Sequence, residues 1–379
     1  MTKTTKIVIL LIIAIVIIAG IWWGMSKKST EKGTIKIGFV GVLSGDAANY
    51  GQSELNAIKL AVEEINSSGG VNGRRLEVIP EDGKGEGQAA VRAIQKLINI
   101  DRVKIVLGGT FSSETLAMAP IAERNKVILF TSFASNPAIS EAGDFVFRNG
   151  PKDDDAGKFL AQLAFENGYR RVGILTENSD AAIGLRDAFK EKFEQLGGKI
   201  VSDELFGLGE KDYRTQLIKI KASNPDLIFL NPQSGVTGGL AAKQIREMKI
   251  DVPIFSTWVF SGEDALKAAG SAAEGIIFED VPVLNLENPK AKIFLEKYIA
   301  RYGKPANDWD AGASYDRVYI MRDALKKCGE NTECIRDYLY GLEEYDGVIG
   351  KYKFDRNGDV VGIGFAIKKI VNGKLVIIK

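Results

Sequence analysis

The sequence predicts an α/β protein with two lobes, each built on a largely parallel sheet. Short apolar runs alternate with helix-period segments, and after residue 152 the same alternation starts again. Strands that alternate with helices of about ten to fifteen residues form parallel sheets covered on both faces. The chain has 379 residues, 45% of them hydrophobic, which is enough for two cores.

The first round contains five predicted strands and three predicted helices. The strands are "TIKIGFVGVL", "RRLEVIPED", "VKIVLGG", "KVILFTS" and "FVFRNGP". Helices are predicted over 50–67, 88–100 and 113–125, because apolar residues recur there at helical spacing. In the first of them, the apolar face consists of Leu55, Ile58, Ala61, Val62 and Ile65.

The second round repeats this pattern, and the last third of the chain departs from it. The strands "RRVGILTEN", "KIVSDELF", "DLIFLNP" and "VPIFSTW" alternate with helices predicted over 156–167, 183–196, 213–223 and 238–248. Further helices are predicted over 289–302, 313–327 and 334–340. The remaining "GKYKFDRNGDVVGIGFAIKKIVNGKLVIIK" is typical of antiparallel strands with Asn-Gly turns at 357–358 and 372–373. Such hairpins fit the edge of an otherwise parallel sheet.

The N-terminus is a separate segment, which we predict to be a transmembrane anchor. From Ile7 to Met25 the chain carries no charge and is almost continuously aliphatic, near the length that spans a bilayer. Trp22 and Trp23 would lie at the membrane interface. No A-x-A cleavage site follows, which favours an uncleaved anchor over the alternative, a cleaved signal peptide. Lysines flank both ends, so charge leaves the orientation open.

Charge and composition argue against several classes of function. The net charge of +1 disfavours nucleic acid as a partner, because duplex binding requires a strongly basic face. The chain has no histidine, which removes the commonest general base and zinc ligand. The dinucleotide and P-loop glycine patterns are missing too. The aspartates at 153–155 are typical of a solvated first helical turn. We therefore expect a protein without cofactor, metal or catalytic activity.

The two cysteines, Cys328 and Cys334, are six residues apart between two predicted helices. Outside the cytoplasm we expect them to form a disulfide. A reduced, partly buried pair is the alternative. A metal site is disfavoured, since two cysteines without histidine do not complete a set of four ligands.

Loops at the carboxyl ends of the first-lobe strands are rich in hydroxyl and backbone N–H groups. Ligands of open α/β sheets bind at this edge, and such groups suit a small carboxylate next to a helix N-terminus. The alternative is that the serines only cap helices and form turns. The candidate residues are Ser44, Ser112, Ser113, Phe133, Ala134 and Ser135.

Three blocks carry a resemblance to a known family: "IKIGFVGVLSGDAANYGQSELNAIKLAVEEINSSGGVNGRRLEV", "GGTFSSETLAMAPIAERNKVILFTSFASNPAIS" and "FVFRNGPKDDDAG". From about Thr34 to about Gly362 the chain resembles the branched-chain amino-acid-binding proteins. These are type I periplasmic binding proteins, the solute receptors of ABC importers. The resemblance implies two Rossmann-like lobes joined by a three-segment hinge, a ligand trapped by hinge closure, an ABC permease as partner and an extracytoplasmic location.

The resemblance also gives domain boundaries. Residues 1–33 form the anchor and linker. The first lobe comprises 34–152 and 283–345, and the second lobe comprises 153–282 and 346–379.

In the first lobe, the resemblance places the ligand's carboxylate at Ser112, Phe133 and Ser135. Tyr50 matches the tyrosine that covers the ligand. The family's first-lobe disulfide is missing, since Lys84 and Phe111 occupy its positions.

The second lobe departs from the family pattern. Ala181 and Gln233 replace two tyrosines, and Trp258 replaces the glutamate that pairs with the ligand's ammonium group. Asn178 and Gln233 would supply polar contacts and Trp258 an apolar wall, with a plain core position as the alternative for Trp258. A buried ammonium without a carboxylate is costly. The missing acid is therefore replaced by Asp180, Glu177 or Glu263, or else the ligand is not an α-amino acid.

The function expected from the sequence is a membrane-anchored, extracytoplasmic receptor of an ABC-type importer that binds a small amino acid or related carboxylate. A ligand-sensing module of the same fold, without a transport role, is the alternative.

Overall fold

The computed structural model of the protein describes residues 33–45, 47–207 and 210–378, without the side chains of Asp180 and Ala181. The predicted anchor from Ile7 to Met25, including Trp22 and Trp23, lies outside these residues. Among the described helices, none is long and apolar enough to cross a membrane.

The first lobe has a five-stranded parallel sheet in the order β2-β1-β3-β4-β5. Side chains alternate between its two faces, so Phe39 packs in one core and the adjacent Val40 in another. The strands are β1 (Ile35–Gly41), β2 (Leu76–Asp82), β3 (Ile105–Gly108), β4 (Ile128–Thr131) and β5 (Val146–Arg148). The helices between them are α1 (Ala48–Ser67), α2 (Gly87–Asn99) and α3 (Ser112–Asn125).

The second lobe has a seven-stranded sheet in the order β15-β14-β10-β9-β8-β6-β7. Its strands are β6 (Arg171–Glu177), β7 (Lys199–Phe206), β8 (Leu227–Asn231), β9 (Ile254–Ser256), β10 (Ile277–Asp280), β14 (Ala366–Val371) and β15 (Lys374–Ile377). Its helices are α4 (Asp153–Glu166), α5 (Asp180–Gln195), α6 (Arg214–Ala222), α7 (Gly235–Glu247) and α8 (Glu263–Ala269). Strand β14 pairs antiparallel with β10 and β15, which confirms the predicted hairpin at the edge of a parallel sheet.

The chain between β10 and β14 packs on the first lobe. Its helices are α9 (Pro289–Tyr302), α10 (Asp308–Cys328) and α11 (Thr332–Tyr340), and its short strands are β11 (Tyr345–Asp346), β12 (Lys351–Phe354) and β13 (Val360–Val361). Tyr352 and Phe354 are buried in the first-lobe core beside Phe130. The sequence had assigned residues 346–379 to the second lobe, but this aromatic burial holds β12 on the first. The third crossing between the sheets therefore runs over 362–365.

Two further crossings run over 149–152 and 281–288, leaving their sheets at the carboxyl ends of β5 and β10. The carboxyl edges of both sheets therefore lie next to the segments that join the lobes. Strand β10 was not predicted, because "GIIFED" is a short apolar run without a clear period. The seven-residue helix α8 was not predicted either. Helix α4 begins at Asp153, so the three aspartates form its first turn, where the helix dipole favours negative charge.

The two cysteines are bonded in the structure. Cys328 ends α10 and Cys334 lies in the first turn of α11, with an S–S distance of 2.04 Å. The side chain of Asn331 accepts a hydrogen bond from the Cys334 N–H at 3.1 Å. The bond closes the short turn between the two helices.

Candidate ligand-binding site

The loops predicted to bind a ligand meet the second lobe at the carboxyl edge of the first sheet. The carbonyl oxygen of Ser135, in the loop after β4, accepts the N–H of Asp153 at 3.0 Å. Asp153 begins α4, so this bond links a first-lobe candidate loop directly to a second-lobe helix.

Three aromatic rings form a cluster beside this edge, here called the aromatic triangle: Tyr50, Phe111 and Phe133. The ring centroid of Tyr50 is 5.5 Å from that of Phe133 and 6.3 Å from that of Phe111, and the two phenylalanines are 6.3 Å apart. All three side chains are half-buried. They form an apolar surface suited to the body of a small ligand. The sequence analysis had not assigned Phe111 to the site, although it directly precedes the α3 N-terminus.

The serines of the α3 loop have different roles. Ser112 is half-buried, and its Oγ accepts the backbone N–H of Asn136 at 3.2 Å, which joins the loops after β3 and β4. Its own hydroxyl proton is available to a ligand. Ser113 is exposed and donates to the carbonyl oxygen of Gly85 at 2.8 Å, a contact that fixes a neighbouring loop. The buried Ala134 contributes its carbonyl oxygen to Arg148 at 3.2 Å.

The loop after β1 is organised by a carboxylate that the sequence analysis had not singled out. Ser44 Oγ donates to Asp82 Oδ2 at 2.5 Å, and the Leu43 N–H donates to Asp82 Oδ1 at 3.0 Å. Burial opposes ionisation of Asp82, but the hydrogen bonds from Ser44, Leu43 and Lys84 outweigh it and lower its pKa. Because the Ser44 hydroxyl already donates to the Asp82 carboxylate, its role is to shape the loop. Ser112, beside the N-terminus of α3, is the better position for binding a ligand carboxylate.

Buried carboxyl groups accept hydrogen bonds from the residues that follow two strands of the first lobe. Thr110 Oγ1 donates to Glu54 Oε2 at 3.1 Å, and Ser132 Oγ donates to Asp310 Oδ1 at 2.6 Å. Arg317 lies 4.0 Å from Glu54. Burial raises the pKa of both carboxyl groups, and the closeness of Glu54 to Asp310 raises that of Glu54 further. Glu54 and Asp310 therefore anchor the two strand ends that lead into the aromatic triangle.

In the second lobe, the carboxylate of Glu177 accepts hydrogen bonds from residues of its own lobe. Its Oε2 accepts the Gln233 N–H at 2.7 Å and the Thr237 hydroxyl at 3.1 Å, which fixes the turn before α7. Glu177 is buried, whereas Gln233 and Asn178 are exposed. Glu263, another candidate acid, is the exposed first residue of α8. The backbone of α5 includes Asp180 and Ala181, whose side chains lie outside the described part of the structure.

Trp258 starts a 3-10 turn that is separated from β9 by Thr257. Its side chain is 57% exposed, so it is not a core side chain. Its backbone N–H donates to Oε1 of Glu279 at 3.4 Å. Glu279 is buried near the end of β10. Burial raises the pKa of Glu279 to about 8 against the effect of the Trp258 N–H, and Asp280 and Asp153 raise it further. Sequence reasoning missed this acid because it missed the strand that carries it.

Other types of site find less support. Among the described residues, no group of three or more acidic or cysteine side chains could hold a metal ion. A surface cavity lined by Asp144, Arg336 and Tyr340 lies beside the beginning of β5, at the opposite end of the strand from the aromatic triangle.

Comparison with known proteins agrees with the fold. Residues 34–373 match the sequence profile of the periplasmic binding protein family. The leucine-, isoleucine-, valine-, threonine- and alanine-binding protein of Pseudomonas aeruginosa is 26% identical over 353 residues, covering 91% of this chain and 92% of that protein.

Two solved structures are also similar to this chain over most of its length. A branched-chain amino acid transporter substrate-binding protein of Streptococcus pneumoniae, in complex with isoleucine, is 31% identical with a TM-score of 0.68 and covers 90% of this chain and 97% of its own. An ABC transporter substrate-binding protein of Desulfitobacterium hafniense, in complex with leucine, is 26% identical with a TM-score of 0.72 and covers 91% and 100%. The two lobes, three crossings and matching profile identify this chain as a member of the periplasmic binding protein family.

Proposed function

We propose that this protein is the extracytoplasmic solute-binding receptor of an ABC-type importer and that it binds a small amino acid or a related carboxylate. The observation that carries the proposal is the position of Ser112, at a helix N-terminus and next to the aromatic triangle. Its hydroxyl joins the loop after β4, and Ser135 of that loop contacts Asp153 of the second lobe.

In this function, each group has a defined role. The N-terminus of α3 and the hydroxyl groups of Ser112 and Ser135 hold the ligand's carboxylate. The aromatic triangle and Trp258 cover its apolar body. Closure of the lobes about the three crossings brings Asn178 and Gln233 onto the ligand.

The apolar segment from Ile7 to Met25 supports the proposal that the receptor is anchored to the membrane. The bilayer holds the receptor near its second partner, a membrane permease to which the closed form delivers the ligand. The named functions of the relatives from Pseudomonas aeruginosa, Streptococcus pneumoniae and Desulfitobacterium hafniense support an importer role.

Isothermal titration calorimetry tests this function on the full-length chain in detergent micelles, stripped of ligand by unfolding and refolding. The panel pairs leucine, isoleucine, valine and phenylalanine with the corresponding acids that lack the amino group. We expect at least one ligand to bind, and Ser112→Ala combined with Ser135→Ala to weaken it, since each lost hydrogen bond to a charged group costs about 1.5–3 kcal/mol.

The matched control is Ser113→Ala, because the Ser113 hydroxyl donates its hydrogen bond to the carbonyl oxygen of Gly85. It should leave the affinity unchanged. The function is wrong if no member of the panel binds, and the carboxylate site is wrong if the double variant binds within about twofold of the wild type.

A further inference from the structure

Five buried polar side chains of the first lobe form a connected group, here called the carboxyl cluster: Glu54, Thr110, Ser132, Asp310 and Arg317. Their exposed fractions lie between 0% and 2%. The cluster joins α1 and α10 to the residues that follow β3 and β4. It therefore lies between two helices and the two loops that carry the phenylalanines of the aromatic triangle.

Glu54 connects two rings of the aromatic triangle. It lies four residues after Tyr50 on α1, about one helical turn away. Its Oε2 accepts the hydroxyl proton of Thr110 at 3.1 Å, and Thr110 directly precedes Phe111. The Thr110 oxygen in turn accepts the N–H of Val42 at 3.3 Å, which ties the end of β1 to the same contact. The position of Glu54 therefore acts on Tyr50 and Phe111 together.

Asp310 connects the third ring. Its Oδ1 accepts the hydroxyl proton of Ser132 at 2.6 Å, and Ser132 directly precedes Phe133. Arg317, about two turns further along α10, donates to the carbonyl oxygen of Phe130 at 2.6 Å and so holds the helix on β4. The three rings therefore depend on two carboxyl groups that lie on different helices.

The two carboxyl groups contact each other. The side chains of Glu54 and Asp310 are within hydrogen-bond distance, and Arg317 Nη2 lies 4.0 Å from Glu54 Oε2. Two carboxylates form no hydrogen bond, since neither carries a donor. One shared proton supplies the donor and leaves one carboxylate to balance one guanidinium. Glu54 Oε1, which has no partner in the described part of the chain, is the atom suited to carry this proton.

The charges around the pair favour a proton on Glu54. Burial raises the pKa of Glu54 well above its usual value, and Asp310 and Glu114 of α3 raise it further against the effect of Arg317. Burial also raises the pKa of Asp310, which Arg317 and a hydrogen bond from Ser132 oppose. Asp310 therefore keeps the better stabilised negative charge.

We propose that Glu54 and Asp310 share one proton and act together as a positioning pair, which holds the three rings of the aromatic triangle in place for ligand binding. This inference rests on the proposed function and adds to it two residues that do not touch the ligand. The neutral, hydrogen-bonded cluster orders the rings before the ligand arrives. The ligand then meets a preorganised apolar surface, which increases affinity.

Titration calorimetry tests the positioning role on the full-length chain, with the member of the panel that binds the wild type most tightly. Glu54→Gln keeps an acceptor for Thr110 and a donor for Asp310, as the protonated acid does, so the affinity should stay within about twofold. Glu54→Leu removes both groups, and the affinity should fall about tenfold or more, which corresponds to at least one lost hydrogen bond.

The matched control is Asp316→Leu. Asp316 is a buried carboxyl group of α10 that accepts two backbone N–H groups ahead of β12, away from the aromatic triangle. Its replacement should lower the free energy of unfolding in urea but leave the affinity within about twofold. Thr110→Val removes only the donor to Glu54, should weaken binding less than Glu54→Leu, and takes its place if Glu54→Leu does not fold.

Infrared spectroscopy of the protein without ligand tests the shared proton. The carbonyl stretch of a protonated carboxyl group is separate from the stretches of a carboxylate. At pH 7 the wild type should show an absorption of this kind that is lost in Glu54→Gln. The same absorption should be lost in Asp310→Asn, because Glu54 then ionises opposite Arg317 without a second carboxylate beside it.

The other outcomes would overturn the inference. An unchanged affinity in Glu54→Leu or its replacement, or an equal loss in Asp316→Leu, would make the cluster a structural feature of the lobe. Equal losses in Glu54→Gln and Glu54→Leu, or an absorption of Glu54 that persists in Asp310→Asn, would exclude a shared proton. All of these results leave the proposed function intact. That function, and the inference with it, fails if the wild type binds none of the panel.

Discussion

The backbone N–H of Asp153 donates a hydrogen bond to the carbonyl oxygen of Ser135 at 3.0 Å. Ser135 follows β4 of the first lobe and Asp153 begins α4 of the second. The bond therefore joins the lobes at the same loop that carries a predicted ligand contact. A change in the position of the second lobe acts on this candidate loop of the first lobe through the hydrogen bond.

Replacing Phe111 tests whether the aromatic triangle contacts the ligand. We expect Phe111→Ala to weaken binding of the best ligand of the panel by about 1.5–3 kcal/mol, the value of burying one such side chain. The matched control is Phe165→Ala, because Phe165 is half-buried on α4 beneath Arg170 and far along the helix from its first turn. Titration calorimetry measures both variants. Equal affinities for the two variants would remove Phe111 from the site.

Replacing Ser132 tests the buried support of the first-lobe loops. Ser132→Ala removes the donor to Asp310, a carboxyl group that is 1% exposed. Leaving such an acceptor unpaired costs about 1–3 kcal/mol, so we expect a loss of this size in the free energy of unfolding from urea denaturation. Ser113→Ala, which removes an exposed hydrogen bond, should cost less. A loss no larger in Ser132→Ala than in the control would contradict the support role.

The Arg148–Asp359 ion pair predicts how the free energy of unfolding changes as the pH falls. Asp359 Oδ1 accepts from Arg148 Nη2 at 2.6 Å, both side chains are buried, and Lys152 lies 3.2 Å from Oδ2. Burial opposes ionisation of Asp359, but Arg148, Ser140 and Lys152 lower its pKa. The pair therefore stabilises the fold above the ordinary aspartate pKa, and this contribution is lost as the pH falls through the lower folded value.

We expect Asp359→Asn to cost about 3–5 kcal/mol near pH 7, because it leaves Arg148 buried without a counter-charge. The difference from wild type should shrink below about pH 4. The control Asp337→Asn breaks the exposed pair with Arg336 and should cost about 0–1 kcal/mol. Thermal unfolding from pH 2 to 7 measures both. A constant difference across this range would show that Asp359 acts through packing and not through charge.

The structure brings the predicted first-lobe candidates together more closely than the second-lobe candidates, because the sequence signals of the first lobe are local. Ser112, Phe133 and Tyr50 each follow a strand in a strand–loop–helix unit, and parallel topology brings such loops together. Asp82 and Phe111 were not assigned, since their roles depend on contacts with Ser44 and Tyr50 that only the folded chain makes. The same reason explains Glu279. Its strand is four residues long, and its position beneath Trp258 follows from the order of strands in the sheet.

The raised pKa of Glu279 predicts how the stability of the protein without ligand depends on pH. The folded pKa is raised from 4.5 to about 8, so between these values the folded state binds more protons than the unfolded state. The free energy of unfolding should therefore fall by about 1.4 kcal/mol for each pH unit between 4.5 and 8, relative to Glu279→Gln. Burial also raises the pKa of Asp316, to about 7, but that effect is common to both proteins and cancels in the difference.

Urea denaturation of wild type and Glu279→Gln at pH 5, 6, 7 and 8 measures this difference. Parallel curves would mean that Glu279 ionises normally in the folded protein. Curves that converge as the pH rises from 5 to 8 would show that the folded wild type loses its advantage because a buried carboxylate forms at Glu279.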